Sequence, residues 1–210
     1  MSAPLIEKGL LTILNERISE QREVSRFLHD TLAQDLVALS FTLSRLESLG
    51  LSGAAVDEVH SAIALIDGCC SQFRIVDAIL ASSVFDGSAA DAVIEQLAAL
   101  LRDETHIPIT LDLDPAAPLG DRSRMLLLTV VRACFALVVR RRSKSAIVVR
   151  LRNQEHRVVL NVEVSPPPPG SLESWTLFRG CAASLGGDFA VQTMAERFSA
   201  CLSLPGEPRA

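Results

Sequence analysis

The first fifty residues carry the clearest hydrophobic period in the chain. Leu28, Leu32, Leu36, Leu39, Leu43 and Leu46 fall within an arc of about 80° when each residue advances ~100° around a helix. Leu10, Leu14 and Ile18 extend the stripe backwards, interrupted by the polar Gln21 and Ser25. Between Leu5 and Leu49 there is no Pro and a single Gly, Gly9, so one long helix is predicted. Such a helix must pack lengthwise on a partner. Gly50-Leu51-Ser52-Gly53 ends it as a short connection. A second apolar-periodic segment, Ala54–Ser82, then carries Ile63, Ile66, Phe73, Val76 and Leu80. Two antiparallel helices leave their apolar seam half covered. Two copies close a four-helix bundle, so a homodimer is expected.

The pattern changes at Phe85-Asp86-Gly87-Ser88. A helix is predicted near Ala90–Glu104 and a strand at Ile107–Leu113, where β-branched residues alternate with others. Pro115, Pro118 and Gly120 mark a loop. Asp121–Arg142 reads as a strong helix, closed by the basic run Arg140-Arg141-Arg142, which suits a helix C-terminus. Strands follow at Ala146–Leu151 and Arg157–Val164, separated by a turn-like Arg152-Asn153-Gln154-Glu155. Pro166–Pro169 and Gly170 require an extended linker or turn. A helix near Leu172–Leu185 stops at Gly186-Gly187, and strands at Phe189–Thr193 and Phe198–Leu204 complete the chain. The expected class is α+β, with helices layered on a mixed sheet behind an N-terminal helical hairpin. The expected domains are residues 1–85 and 86–210.

Composition narrows the function classes. Of 210 residues, 49% are hydrophobic, enough for a sizeable core. A net charge of −5 argues against a nucleic-acid groove, and one Trp with no Tyr argues against base-stacking platforms. The five cysteines form no CxxC pair, so buried reduced thiols in a cytosolic protein are expected. His60, His106 and His156 lack metal-ligand spacing and are expected at surface or strand-edge positions. No basic start leads into an apolar stretch, and the most apolar segment, Met125–Val139, is interrupted by Arg132 and is shorter than the ~20 residues a bilayer needs. A soluble, cytoplasmic protein without a membrane partner is expected.

Candidate chemistry sits on the flank of the leucine stripe. His29 is followed directly by Asp30, and Asp30 and Gln34 form an i, i+4 pair nearly opposite the stripe. A carboxylate can accept a hydrogen bond from one imidazole nitrogen and raise the nucleophilicity of the other. Gln34 has a donor and an acceptor, the equipment needed to orient a water for attack on phosphorus. An ordinary solvated helix face accounts for the same spacing.

The stretch Glu23-Val24-Ser25-Arg26-Phe27-Leu28-His29-Asp30-Thr31-Leu32-Ala33-Gln34-Asp35-Leu36 closely resembles the H-box of the sensor histidine kinases that pair with NarL-type response regulators. That family carries a helical HDxxxQ within a two-helix dimerisation and phosphotransfer hairpin. The resemblance implies that His29 carries a phosphoryl group, Asp30 assists as base and Gln34 serves dephosphorylation of a response-regulator receiver domain. More weakly, Ile107–Leu113 looks like the first strand of the family's ATP-binding α/β sandwich, and Leu185-Gly186-Gly187 with Leu202-Ser203-Leu204-Pro205 looks like its end. The chain thus resembles the family's catalytic core without a sensor domain.

The nucleotide-binding elements of that family are not matched. Where its core helix carries a Glu and an Asn, alignment places Arg132 and Ala136, and Mg²⁺ needs oxygen ligands. Where a strand should end in Asp and spaced glycines, the chain reads Val164-Ser165-Pro166-Pro167-Pro168-Pro169-Gly170, and proline offers no N–H to a phosphate. A glycine-rich turn is replaced by Trp175-Thr176-Leu177-Phe178-Arg179, and a final Gly-x-Gly-Thr by Ala195-Glu196-Arg197-Phe198. Loss of ATP and Mg²⁺ binding is therefore expected, so no cofactor. The leading expectation is a histidine phosphotransfer protein relaying phosphoryl between His29 and a receiver aspartate. A response-regulator phosphatase, a non-catalytic dimeric adaptor of pseudokinase type, and an ATP-using kinase with a rearranged site are the alternatives.

Overall fold

A computed structural model describes residues 29–49, 53–80, 89–115, 119–139, 145–154, 156–167 and 175–206, with isolated positions 9, 12, 13, 16, 19, 20, 23 and 24 before them. The linker at Phe85–Ser88, the basic run Arg140–Arg142 and residues 168–174 lie outside these. Two compact units divide the chain, Ser19–Ala81 and Ser82–Ala210, the latter grouped with Met1–Ile18.

The first unit is a helical hairpin. The isolated positions before residue 29 are helical, as the leucine stripe predicts. A π-helical turn, His29–Ala33, leads directly into α1 (Gln34–Ser48). Past the turn at Gly53, whose φ of 62° suits glycine, α2 spans Ala54–Leu80 and packs on α1. One turn departs from the predicted continuous α-helix: at His29–Ala33 the backbone closes i→i+5 rings.

The second unit is a two-layer sandwich. Its sheet comprises β1 (Ile109–Leu113), β2 (Ala146–Gln154), β3 (Arg157–Ser165), β4 (Asp188–Thr193) and β5 (Phe198–Pro205), in the order β1-β2-β3-β5-β4. β1 and β2 are parallel, joined through helix α4 (Asp121–Val139), and the other pairings are antiparallel. Alternation dictates which face is buried. Ile147, Val149 and Leu151 on β2, Val158, Leu160, Val162 and Val164 on β3, and Ala200, Leu202 and Leu204 on β5 point to one side. The opposite side carries polar pairs such as Arg150 with Glu163 (2.7 Å).

Three helices cover the apolar side: α3 (Ala90–Thr105), α4 and α5 (Trp175–Ser184). α3 buries one stripe, Val93, Ile94, Leu97, Ala98 and Leu101. α4 lies between the other two and is buried nearly all round, at Leu126–Leu128, Val130, Val131, Cys134, Phe135 and Val138. Each fully buried large aliphatic or aromatic side chain contributes about 1.5–3 kcal/mol of hydrophobic stabilisation.

A strand boundary moved from its predicted place. The turn expected at Arg152–Glu155 is tighter, because Arg152, Asn153 and Gln154 belong to β2, paired with Val159, Val158 and Arg157. Contacts distant in sequence hold them there. Arg152 bonds the carboxylates of Asp112 and, at 3.0 Å, Asp114, while Asn153 bonds Asp114 through its N–H and Pro115 through its amide. The Arg152 guanidinium holds the Asp112 carboxyl below the usual aspartate range, chiefly by this hydrogen bond. Trp175–Arg179 opens α5, within the helix predicted near Leu172–Leu185.

The predicted stop at Gly186-Gly187 is a Schellman ending. Gly187 N–H bonds Ala182 C=O (2.8 Å), Gly186 N–H bonds Ala183 C=O (3.1 Å), and Gly186 takes φ 70°. A Cβ at Gly187 would collide with the Ser203 carbonyl, so that position has no room for a side chain.

Candidate functional site

The backbones of His29 and Asp30 open the π turn, while their side chains lie outside what the structure describes. Gln34 is the first residue of α1 and is exposed. The turn thus contains His29 and Asp30 and ends against Gln34. Gln34 follows the turn directly as the first residue of α1, five residues beyond His29.

Beyond the turn, α1 has two contrasting faces. Leu36 and Leu43 are half-buried, on the side where α1 packs on α2. Leu32, Leu39 and Leu46, spaced seven apart on the outer flank of the same stripe, are 46%, 49% and 41% exposed. α2 repeats the situation. Ile66 is buried, while Leu65, Cys69, Gln72 and Val76, at heptad-like spacing, are exposed. The opposite side of α1 carries Gln34, Val37 and Phe41, with Phe41 71% exposed. Beside the connecting turn, His60 Nε2 donates to Glu47 Oε1 at 2.7 Å and ties α2 to α1. His60 is a surface residue, as are His106 and His156.

In the sandwich unit, the residues expected to replace the nucleotide elements have packing roles. Arg132 is buried within α4 and Ala136 is half-buried four residues on, so neither offers an oxygen to a cation. Trp175 is buried with its ring centroid 5.5 Å from Phe178 and 5.7 Å from both Phe189 and Phe198. Aromatic surface therefore anchors the start of α5 where a backbone cradle would need open glycines. Pro166 and Pro167 follow β3, and Ala195–Arg197 form the β4–β5 turn, where Met194 N–H bonds Arg197 C=O and Ser165 Oγ donates to Glu196 C=O. Among the described residues, no three His, Cys, Asp or Glu side chains are grouped to hold a metal ion.

The cysteines depart in part from the expected buried set. Cys134 and Cys181 are buried, Cys70 and Cys201 half-buried, and Cys69 is exposed on α2; none is in a disulfide. Burial pushes the Cys134 thiol far above the ordinary range, so it is a packing residue.

Among the described residues, no helix is long and apolar enough to cross a membrane. No family model and no curated protein matches the sequence. Solved structures do resemble the chain in shape. The histidine kinase domain of a blue-light activated kinase from Erythrobacter litoralis superposes with a TM-score of 0.47 at 12% identity, covering 80% of this chain and 95% of that one. Acinetobacter baumannii histidine kinase AdeS gives 0.46 at 10%, over 86% and 98%. A bacterial phosphotransferase gives 0.49 at 15%, over 96% and 97%. The activities in those names are those proteins' own.

Proposed function

We propose that the protein is a homodimeric histidine phosphotransfer protein of two-component signalling. His29 exchanges a phosphoryl group with the aspartate of a response-regulator receiver domain, Asp30 assists as base, and no ATP is used by this chain. The observation that carries this reading is the HDxxxQ run at the head of a hairpin helix whose leucine seam is left open. A second copy covers that seam: Leu32 of the π turn, Leu39 and Leu46 of α1, and Leu65 and Val76 of α2 supply the inner layers of a four-helix bundle. The outward face with Gln34, Val37 and Phe41 stays available to the receiver.

The chemistry requires little. In the forward step the unprotonated imidazole nitrogen of His29 attacks phosphorus, the bond to the aspartyl oxygen breaks, and its electron pair returns to that carboxylate. The phosphoryl moves without water and the reverse step regenerates the aspartyl phosphate. Asp30 favours the attacking tautomer through the other ring nitrogen. The packed Arg132 and Trp175 in the sandwich unit support a chain that receives phosphate from another protein. Transfer from a ³²P-labelled receiver tests the reading: wild type takes up acid-labile label and His29→Ala does not. Equal labelling of both, or labelling of neither, contradicts it.

A second reading is favoured by Gln34, exposed at the start of α1 directly after the π turn: net dephosphorylation of the regulator. Under it, Gln34→Ala stops the loss of regulator phosphate.

A further inference from the structure

We infer that the π turn at His29–Ala33 decides which face of the hairpin position 29 occupies: it carries that position off the side packed on α2 and onto the exposed side with Val37 and Phe41. Its use in phosphate handling rests on the proposed phosphotransfer role of His29.

Residue 29 stands seven places before Leu36 and fourteen before Leu43. Seven residues of α-helix turn through about 700°, within ~20° of two full turns. A regular helix would therefore set position 29 on the line of these two leucines. That line is the packed one, because Leu36 and Leu43 are half-buried where α1 meets α2. α2 is present at the level of residue 29 as well. The Glu47–His60 contact fixes the register of the two antiparallel helices. Eighteen residues back along one and eighteen on along the other, residue 29 stands near the level of Ala78, inside α2. α2 also packs against the π turn itself. An imidazole on this line would be shut away from another protein and would need a polar partner within the hairpin.

The backbone is not regular there. It closes i→i+5 rings over His29–Ala33 before α1 begins at Gln34. Such a turn holds about one residue more than an α turn. Residue 29 thus takes the angular place that residue 30 would hold in a regular helix, a shift of about 100°. That place lies seven before Val37 and fourteen before Ser44, so position 29 leaves the Leu36–Leu43 line for the Val37–Ser44 line. Val37 and Ser44 are exposed, and Phe41 on the same side is 71% exposed. The seam leucines Leu39 and Leu46 lie on the other flank, so a second copy closing the bundle leaves position 29 open. A receiver domain resting on Val37 and Phe41 then reaches residue 29 without parting the hairpin.

Diethylpyrocarbonate, which acylates unprotonated imidazole, tests this on the full chain, with peptide mapping by mass spectrometry reporting each histidine separately. His29 is expected to react within about threefold of its rate in the urea-unfolded chain, and a rate slowed about tenfold or more overturns the inference. Deleting Ala33 removes the extra residue, so the turn closes as a regular α turn with position 29 unmoved. The diethylpyrocarbonate rate at His29 is expected to stay within about threefold of wild type in that variant, and a change of about tenfold in either direction overturns the inference. A His29 that reacts freely in both chains but takes no label from a phosphorylated receiver domain defeats the phosphotransfer reading and leaves the placement standing.

Discussion

The hairpin and the sandwich solve the same problem, where to put apolar side chains, with opposite results. The sandwich completes its own core: from residue 89 onward, Met194 is the one large hydrophobic described as exposed. In the hairpin, α1 has no fully buried residue, and Leu32, Leu39, Leu46, Leu49, Leu65 and Val76 stay open to solvent. A unit finished alone can serve as a scaffold, whereas one finished only by a partner couples its own folding to association. The HDxxxQ run lies on the unfinished unit, so the proposed phosphate handling and assembly would share one helix.

The contrast can be broken at either end. Phe135→Ala, in the middle of α4, is expected to destabilise the sandwich by about 3–5 kcal/mol, read as an early urea transition with the dimer retained. An unchanged transition would mean the sandwich is not one packed core. Gly187→Ala is expected to cost about 1–3 kcal/mol, since its Cβ meets the Ser203 carbonyl, and Gly186→Ala less. In the hairpin, Leu39→Asp places a charge on the seam and is expected to weaken dimerisation tenfold or more, about 1.4 kcal/mol, measured by analytical ultracentrifugation. The sandwich transition should not move. Phe41→Ala, on the opposite face, should leave the dimer intact and weaken receiver binding by about 1–2 kcal/mol. Smallest is His60→Ala, which removes an exposed ion pair with Glu47 worth about 0.2–1 kcal/mol.

Acid titration separates the units again. The Asp112 carboxyl is held below its ordinary pKa of 3.8 by Arg152. Its contribution is therefore fully present above that ordinary value and is lost as pH falls through the lower folded value. Asp112→Asn should flatten the acid limb of sandwich stability without altering the hairpin. A limb identical to wild type would remove Arg152 from the account.

Much of this architecture was readable from residue order. Period-two alternation located β2, β3 and β5, the apolar periodicities located α1 to α4, and Gly186-Gly187 announced the end of α5. Departures arose where a partner far along the chain decides the local conformation. Arg152 and Asn153 have turn-like character, yet Asp112, Asp114 and Pro115, about forty residues earlier, draw them into the sheet. By contrast, the helix predicted near Leu172–Leu185 holds Trp175, whose ring packs on Phe189 and Phe198. At the site, HDxxxQ was visible as a motif, while the π turn is a backbone feature that the residue pattern did not announce.

The central claim is that residue 29 takes its phosphate from a protein and not from a nucleotide. Peptide mapping by mass spectrometry under conditions that preserve phosphohistidine decides it, with the full chain incubated separately with a phosphorylated receiver domain and with millimolar MgATP. The account predicts phosphate on His29 in the first incubation and none in the second. Phosphate on His29 from MgATP alone, or none from the receiver, contradicts it.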